Sequence, residues 1–109
     1  MGDYAIIITP DAETDLYSIF EYIAYNLKVP DTAIRYIRDL RTGIQKLAYM
    51  PTRIEAIPRE PWHHLGLRKI LVKNFLVYFI INETKKTVYV LAVIYSKRNQ
   101  IDVLAERYK

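Results

Sequence analysis

The stretch Leu65–Arg98, LGLRKILVKNFLVYFIINETKKTVYVLAVIYSKR, decides the fold of this chain. Apolar, aromatic and β-branched residues fill three runs that are typical of strands. The links between the runs, Lys73-Asn74 and Asn82–Lys86, are short enough for hairpins. The sequence therefore predicts an antiparallel meander in which the first and last strands flank the central one. The predicted strands are Leu67–Val72, Phe75–Ile81 and Thr87–Tyr95.

A strand and a helix are predicted at the start of the chain. Tyr4–Ile8 is a short apolar run, and Thr9 and Pro10 then supply an N-cap and a first helical residue. Apolar residues follow at three- and four-residue spacing, which predicts a helix over Asp11–Leu27. The face expected to be buried consists of Ala12, Leu16, Ile19, Phe20, Ile23 and Leu27.

A second helix is predicted over Thr32–Tyr49, with Asp31 or Thr32 as its cap. On its outer face Asp39 is spaced to pair with Arg35 one turn earlier. A short link that contains proline separates it from the first helix, so the two should form an antiparallel hairpin. Its predicted buried face is Ile34, Ile37, Leu40, Ile44 and Leu47.

The order of these elements defines the fold class. Residues 51–65 contain three prolines and should be irregular, with a short extended piece at Arg53–Ile57. A brief C-terminal helix is expected to bury Ile101, Leu104, Ala105 and Tyr108 on one face. The prediction is a single α+β domain over residues 1–109, with the helices on one face of a mostly antiparallel four-stranded sheet.

Composition excludes several classes of protein. The chain has 109 residues, 51% of them hydrophobic, which is enough for one real core. It has no cysteine, and its adjacent histidines His63 and His64 should point apart, so we expect no disulfide, metal or cofactor. No apolar stretch is long enough to span a bilayer, and the N-terminus does not resemble a signal peptide. A cytoplasmic location is the default expectation.

Positive charge is concentrated in the second half of the chain. Residues 1–58 hold 6 Lys and Arg against 8 Asp and Glu, a net charge of −2. Residues 59–109 hold 10 Lys and Arg against 4 Asp and Glu, a net charge of +6. This asymmetry favours a polyanion or an acidic protein as the partner of the C-terminal half.

The cations of the predicted sheet have two interpretations. Alternation along the strand places Lys69 and Lys73 on one face and Arg68 on the other. Lys97 and Arg98 directly follow the last strand. They are either solvated charges on an open sheet or a surface that binds anions or nucleic acid. For Arg98, the structural alternative is a bond to helix carbonyls or to Asp102.

The segment around Trp62 also permits two interpretations. Trp62 can close one end of the core and leave His63 and His64 exposed, because buried aromatic residues of this kind are common. Alternatively, one histidine acts as a general acid or base near a phosphate, for which the pKa of an imidazole is suited.

These residues, in this order, resemble the RelE/ParE superfamily of toxins from bacterial type II toxin–antitoxin modules, which includes plasmid stabilisation proteins. The resemblance covers nearly the whole chain and rests on an ordered set of short motifs, none specific alone. They are DLYSIFEYIA in the first helix, Ala33, Tyr36 and Leu40 in the second, Pro51–Arg53, GLRKI at Gly66–Ile70, NFLVYF at Asn74–Phe79 and VLAVIYSKRNQ at Val90–Gln100.

The resemblance implies a toxin with a RelE-like fold, a helical hairpin against a four-stranded sheet, and a cognate antitoxin as partner. For the activity, it implies cleavage of mRNA that depends on the ribosome and needs no metal. The alternative is non-catalytic inhibition of DNA gyrase. A third possibility is a decayed toxin that serves only as an interaction module. The first activity is expected here, because basic residues match RelE-like positions. Phe75 and Leu104, however, replace an arginine and a tyrosine of that branch. The implied catalytic residues are Arg98, Arg68 and Lys69, and the implied binding residues are Lys73, Lys97, Tyr95, His63, His64 and Tyr108.

Overall fold

Seven regular elements make up the fold in the computed structural model, which describes residues 3–107. The four strands form one sheet in the order β1-β4-β3-β2. Strand β1 runs parallel to its neighbour β4, whereas the pairs β4–β3 and β3–β2 are antiparallel. The elements are β1 Ala5–Ile8, α1 Pro10–Glu21, α2 Pro30–Gln45, β2 Arg68–Val72, β3 Phe75–Asn82, β4 Thr87–Tyr95 and α3 Gln100–Arg107.

The predicted meander is confirmed to within one residue at each strand end. Its first hairpin turns at Lys73, which adopts a left-handed φ of 57° of the kind that two-residue hairpin turns require. In β4 one extra residue, Leu91, forms a bulge, because Tyr78 pairs with Ala92 while Phe79 pairs with Val90.

The predicted start of α1 is also confirmed. Thr9 Oγ1 accepts a hydrogen bond from the Ala12 amide at 3.3 Å and donates to Val90 O at 2.8 Å, and Pro10 is the first helical residue. The cap therefore also fixes α1 to β4. The helix then ends earlier than predicted: it changes at Tyr22–Asn26 into a π-helical turn.

Two predictions about α2 are wrong. The helix begins at Pro30 with Val29 as its cap, two to three residues before the predicted cap, because the fixed φ of proline suits the first helical position. Asp39 pairs with Lys73 at 3.1 Å instead of Arg35, since the first hairpin brings Lys73 beneath α2. The side chain of Arg35 donates to Thr32 Oγ1 at 3.3 Å.

The sheet is covered on both faces. The helical hairpin α1–α2 packs on one face, as predicted, whereas α3 and the segment before β2 pack on the other, which corrects the prediction of helices on one face only. The core under the hairpin comprises Ala12, Leu16, Leu40, Ile44, Leu47, Val77, Phe79, Val88, Val90 and Val93. The core on the opposite face comprises Trp62, Leu67, Tyr78, Ala92, Ile94 and Leu104.

Four residues assigned to buried faces are exposed instead, namely Leu27, Ile34, Ile101 and Ala105. Leu27 and Ile34 flank the link between α1 and α2, beyond the edge of the sheet that the hairpin covers. Among the described residues of α3, Leu104 is the buried anchor and Val103 packs beside it. Within residues 3–107 no helix is long and apolar enough to cross a membrane.

Gly43 marks a close approach of the helical hairpin to the sheet. A Cβ atom at this position of α2 would lie 2.6 Å from Cγ1 of Val72 in β2. Only a residue without a side chain permits this contact, so Gly43 sets the separation of α2 from the end of β2 that leads into the Lys73 turn.

Candidate functional site

Two chain turns meet at one end of the sheet. The Ser96 amide donates to Asn74 O at 2.9 Å, directly beyond the Phe75–Tyr95 pair that ends the β3–β4 ladder. The hairpin after β2 and the turn after β4 are therefore adjacent. We call this surface the basic end of the sheet; it carries Lys73, Tyr95, Lys97 and Arg98.

Arg98 is an exposed cation of the basic end. Its amide donates to Tyr95 O at 3.0 Å within the turn. Its guanidinium forms neither an ion pair nor a hydrogen bond within residues 3–107, so the predicted alternative of a pair with Asp102 is absent from the described structure. An exposed guanidinium of this kind can bind a phosphate or carboxylate in bidentate geometry.

An apolar groove lies beside Arg98, between the end of the sheet and the helical hairpin. Its volume is about 680 Å³. Arg98 also lines a smaller pocket of about 470 Å³ together with α3, so it borders both cavities. The groove is lined by Asp15, Ser18, Ile19, Tyr22, Ile23, Leu27, Tyr36, Asn74, Phe75, Val93, Ile94, Tyr95 and Arg98.

Phe75 lines this groove together with two tyrosines, Tyr36 and Tyr95. Its ring centroid lies 5.9 Å from that of Tyr36 in an edge-on arrangement and 5.7 Å from that of Tyr95. Such aromatic pairs contribute about 0.5–1.5 kcal/mol beyond their burial. Phe75 thus contributes apolar surface beside Arg98 in the groove.

Lys73 lies on the helical side of the sheet, and the prediction that it shares a face with Lys69 is wrong. The left-handed turn interrupts the alternation of β2 and directs the ammonium group towards α2. Lys73 Nζ is 3.1 Å from Asp39 Oδ2 and 5.4 Å from the centroid of the Tyr36 ring. Its charge is therefore partly neutralised, although the pair is about half-exposed.

Arg68 and Lys69 lie away from the basic end. They begin β2, whereas Lys73 follows its last residue, so they are separated from it by the length of the strand, about 13 Å. Arg68 Nη1 donates to Thr52 O at 3.4 Å and to Ile54 O, and its Nε is buried without a hydrogen-bond partner. Arg68 thus holds the preceding loop, while Lys69 is exposed on the opposite face.

Trp62 is buried against Leu67 and Tyr78, which confirms its interpretation as a packing residue. Both neighbouring histidines are exposed. The Nδ1 atom of His63 lies 3.0 Å from Ile57 O, and the amide of His64 donates to Glu60 at 3.1 Å. This segment precedes β2, so it leads into the end of that strand opposite to the Lys73 turn and the basic end.

The remaining predicted residue, Tyr108, lies outside the described residues. Within residues 3–107 no group of three His, Asp or Glu side chains is placed to hold a metal ion. The basic end thus unites Tyr95, Lys97, Arg98 and Lys73, whereas the other predicted site residues that the structure describes lie elsewhere, namely His63, His64, Arg68 and Lys69.

Two contacts that support the basic end were not predicted. Asp15 of α1 binds Arg107 of α3 through two contacts of 2.8 Å and also accepts from the Val93 amide at 2.9 Å. Gln100 links the buried hydroxyl of Tyr78 to the turn that carries Arg98. Neither contact has a sequence signal, because the partners are 92 and 22 residues apart.

Comparison with known proteins identifies one family and one fold. Residues 6–100 match the family described as "ParE toxin of type II toxin-antitoxin system, parDE". Among solved structures, the chromosomal ParDE system from P. aeruginosa aligns with a TM-score of 0.72 at 19% identity, covering 87% of this chain and 98% of that one. No curated protein matches the sequence significantly.

RelE toxins share the fold as well. The toxin–antitoxin complex RelBE2 from Mycobacterium tuberculosis aligns with a TM-score of 0.62 at 20% identity, covering 85% of this chain and 98% of that one. A double mutant of the E. coli toxin RelE in the free state aligns over 100% of both chains, with a TM-score of 0.61 at 16% identity. At such identities these structures establish the fold alone.

Proposed function

We propose that this chain, which belongs to the ParE family of toxins from type II toxin–antitoxin systems, arrests growth by binding its target through the basic end of the sheet without itself catalysing a reaction. The proposed target is DNA gyrase. Arg98 is the central contact, and the aromatic groove beside it provides apolar area. Fold alone does not select this mechanism, since one fold hosts several functions.

The separation of the three candidate catalytic residues carries this proposal. Cleavage of RNA without a metal ion needs several cations around one phosphorus, where negative charge develops. Arg68 is bound to the carbonyls of Thr52 and Ile54, and Lys69 lies at the far end of β2 from Arg98. This separation of Arg68 and Lys69 from Arg98 argues against their joint action on one phosphate.

Ribosome-dependent mRNA cleavage is the second candidate, and one observation favours it. Lys73, Lys97 and Arg98 come from two different turns and share one end of the sheet. Three cations at one surface suit a polyanion, and the ribosome would supply the orientation of the mRNA. The presence of an aromatic side chain where RelE-like enzymes have an arginine favours the gyrase proposal over this one.

The expected partner in the cell is a cognate antitoxin. We infer that it covers the groove with an apolar helix face or an extended segment and places an acidic side chain at Arg98. The size and aromatic lining of the groove support an apolar ligand. The exposed Arg98 at its rim supports an anionic group nearby.

Growth arrest and its cause are measurable in one experiment. The chain is expressed from a tightly regulated promoter, and the same cells are assayed for trapped gyrase–DNA cleavage complexes and, by primer extension, for cleaved mRNA. The proposal predicts trapped gyrase with intact transcripts, and rescue by coexpression of the antitoxin. Cleaved transcripts without trapped gyrase would establish the second candidate instead.

The matched variants are Arg98→Ala and Arg38→Ala. Arg38 is an exposed arginine on α2 that does not line the groove. We expect Arg98→Ala to abolish arrest and Arg38→Ala to leave it unchanged, at equal levels of folded protein. Full toxicity of Arg98→Ala would remove this residue from the site.

A further inference from the structure

We propose that Gln100 is a positioning residue that holds the turn Ser96–Asn99, and with it Arg98, in its active orientation. This inference rests on the proposed function, because it assigns Gln100 a role only through Arg98. The side chain of Arg98 has no partner among the described residues, so its direction depends on the backbone of the turn. The inference extends the proposed function by identifying Gln100 as the residue that holds this backbone.

The side chain of Gln100 makes three hydrogen bonds. Its Nε2 donates to Tyr95 O at 2.7 Å and to Arg98 O at 2.9 Å, and its Oε1 accepts from the Tyr78 hydroxyl at 2.8 Å. The two carbonyls flank the exposed turn on either side of Lys97. One amide group therefore closes the turn and connects it to the core.

Tyr78 makes this connection rigid. It is almost fully buried on the α3 side of the sheet, among Trp62, Ile94 and Leu104. A buried phenol needs a hydrogen-bond partner, and Gln100 supplies it. Burial also raises the pKa of Tyr78, so its hydroxyl keeps the proton that it donates.

Few other contacts restrain the turn. The Ser96 amide donates to Asn74 O and the Arg98 amide donates to Tyr95 O, while Asn99 caps α3 by accepting from the Asp102 amide at 3.2 Å. Lys97 and Arg98 are both exposed. Loss of the Gln100 amide would remove both of its bonds to the turn, which opens Arg98 O to water and leaves Tyr95 O with the bond from the Arg98 amide. The turn should then become mobile while the sheet and α3 remain folded.

The variant Gln100→Met tests this role, because methionine has nearly the same length and no hydrogen-bonding amide. Tyr78→Phe removes only the link to the core, and Gln45→Met makes the same change at an exposed position at the end of α2. For each purified protein, 15N relaxation measures the backbone order of residues 96–99. For each strain, inducer titration measures the dose that arrests growth.

We expect Gln100→Met to lower the order parameters of the turn from about 0.85 towards 0.6, while those of β3 and β4 stay unchanged. The arresting dose should rise at least about tenfold, the equivalent of 1.4 kcal/mol of lost binding. Tyr78→Phe should have a smaller effect in the same direction, and Gln45→Met none. A turn that stays rigid in Gln100→Met would overturn the inference.

The toxicity of two variants separates failure of this inference from failure of the proposed function. If Arg98→Ala is inactive but Gln100→Met is fully toxic with a mobile turn, only the positioning role is refuted. If Arg98→Ala is itself fully toxic, the proposed role of the basic end fails, and the positioning role fails with it.

Discussion

Two bidentate ion pairs on the same helix provide a quantitative test of the fold. Asp15 and Glu13 both lie on α1, and each binds one arginine, Arg107 and Arg41 respectively. The side chains of Asp15 and Arg107 are 15% and 22% exposed, against 47% and 44% for Glu13 and Arg41. Asp15 also accepts from the Val93 amide in β4. The two pairs thus share their chemistry but differ in burial and in backbone contact.

We expect Asp15→Ala to cost about 2–4 kcal/mol of unfolding free energy. A hydrogen bond to a charged group contributes about 1.5–3 kcal/mol, and breaking a fully buried pair costs about 3–5 kcal/mol, which partial exposure reduces. Since 1 kcal/mol shifts the melting temperature of a small domain by roughly 4–8 °C, the loss should be at least about 8 °C. Glu13→Ala should cost no more than about 1 kcal/mol.

Urea unfolding measures the coupling energy of each ion pair in a double-mutant cycle. One cycle uses Asp15→Ala, Arg107→Ala and their double mutant, and the other uses Glu13→Ala, Arg41→Ala and their double mutant. We expect about 2 kcal/mol for the Asp15 pair and less than about 0.5 kcal/mol for the Glu13 pair. In 1 M salt only the exposed pair should lose its coupling. Equal coupling energies, or a cost below 1 kcal/mol for Asp15→Ala, would refute the reasoning.

Three further outcomes are expected. Arg98→Ala should change the unfolding free energy by less than about 1 kcal/mol by urea titration while abolishing arrest, and Arg98→Lys should restore only part of it. Gly43→Ala should lower the melting temperature, because the added methyl group would overpack against Val72 at a cost of about 1–3 kcal/mol. This cost outweighs the gain in helix propensity of up to about 1 kcal/mol. A higher melting temperature would show that β2 shifts to accommodate the methyl group. Burial raises the pKa of Tyr78, and the resulting stabilisation of the folded state is fully present below the unfolded pKa of 10.0. This contribution is lost as the pH rises above 10.0, so the stability difference between wild type and Tyr78→Phe should shrink there. A difference independent of pH would contradict this.

The sheet was predictable because its signals are local. Apolar runs and short links specified the meander, and Thr9 with Pro10 specified the start of α1. The family resemblance is confirmed by the ParE match over residues 6–100. The position of α3 was not predictable, since its anchors are a buried leucine and an arginine whose partner is 92 residues away.

The candidate site was predictable only in part. The position of Arg98 after an apolar strand was sufficient to place it at a strand end facing solvent. Alternation along β2 misplaced Lys73, because the left-handed turn at that residue redirects its side chain. Arg68 is an exposed cation by sequence criteria, and only the folded loop at Thr52 and Ile54 occupies its guanidinium.

Titration of purified gyrase with the purified chain tests the central claim most directly. If the chain is a non-catalytic ligand, inhibition of supercoiling should saturate near one toxin per binding site, and Arg98→Ala should shift the titration by at least tenfold while Arg38→Ala does not. Supercoiling activity that persists at large excess of toxin, together with cleavage of ribosome-bound mRNA by substoichiometric toxin, would contradict the account.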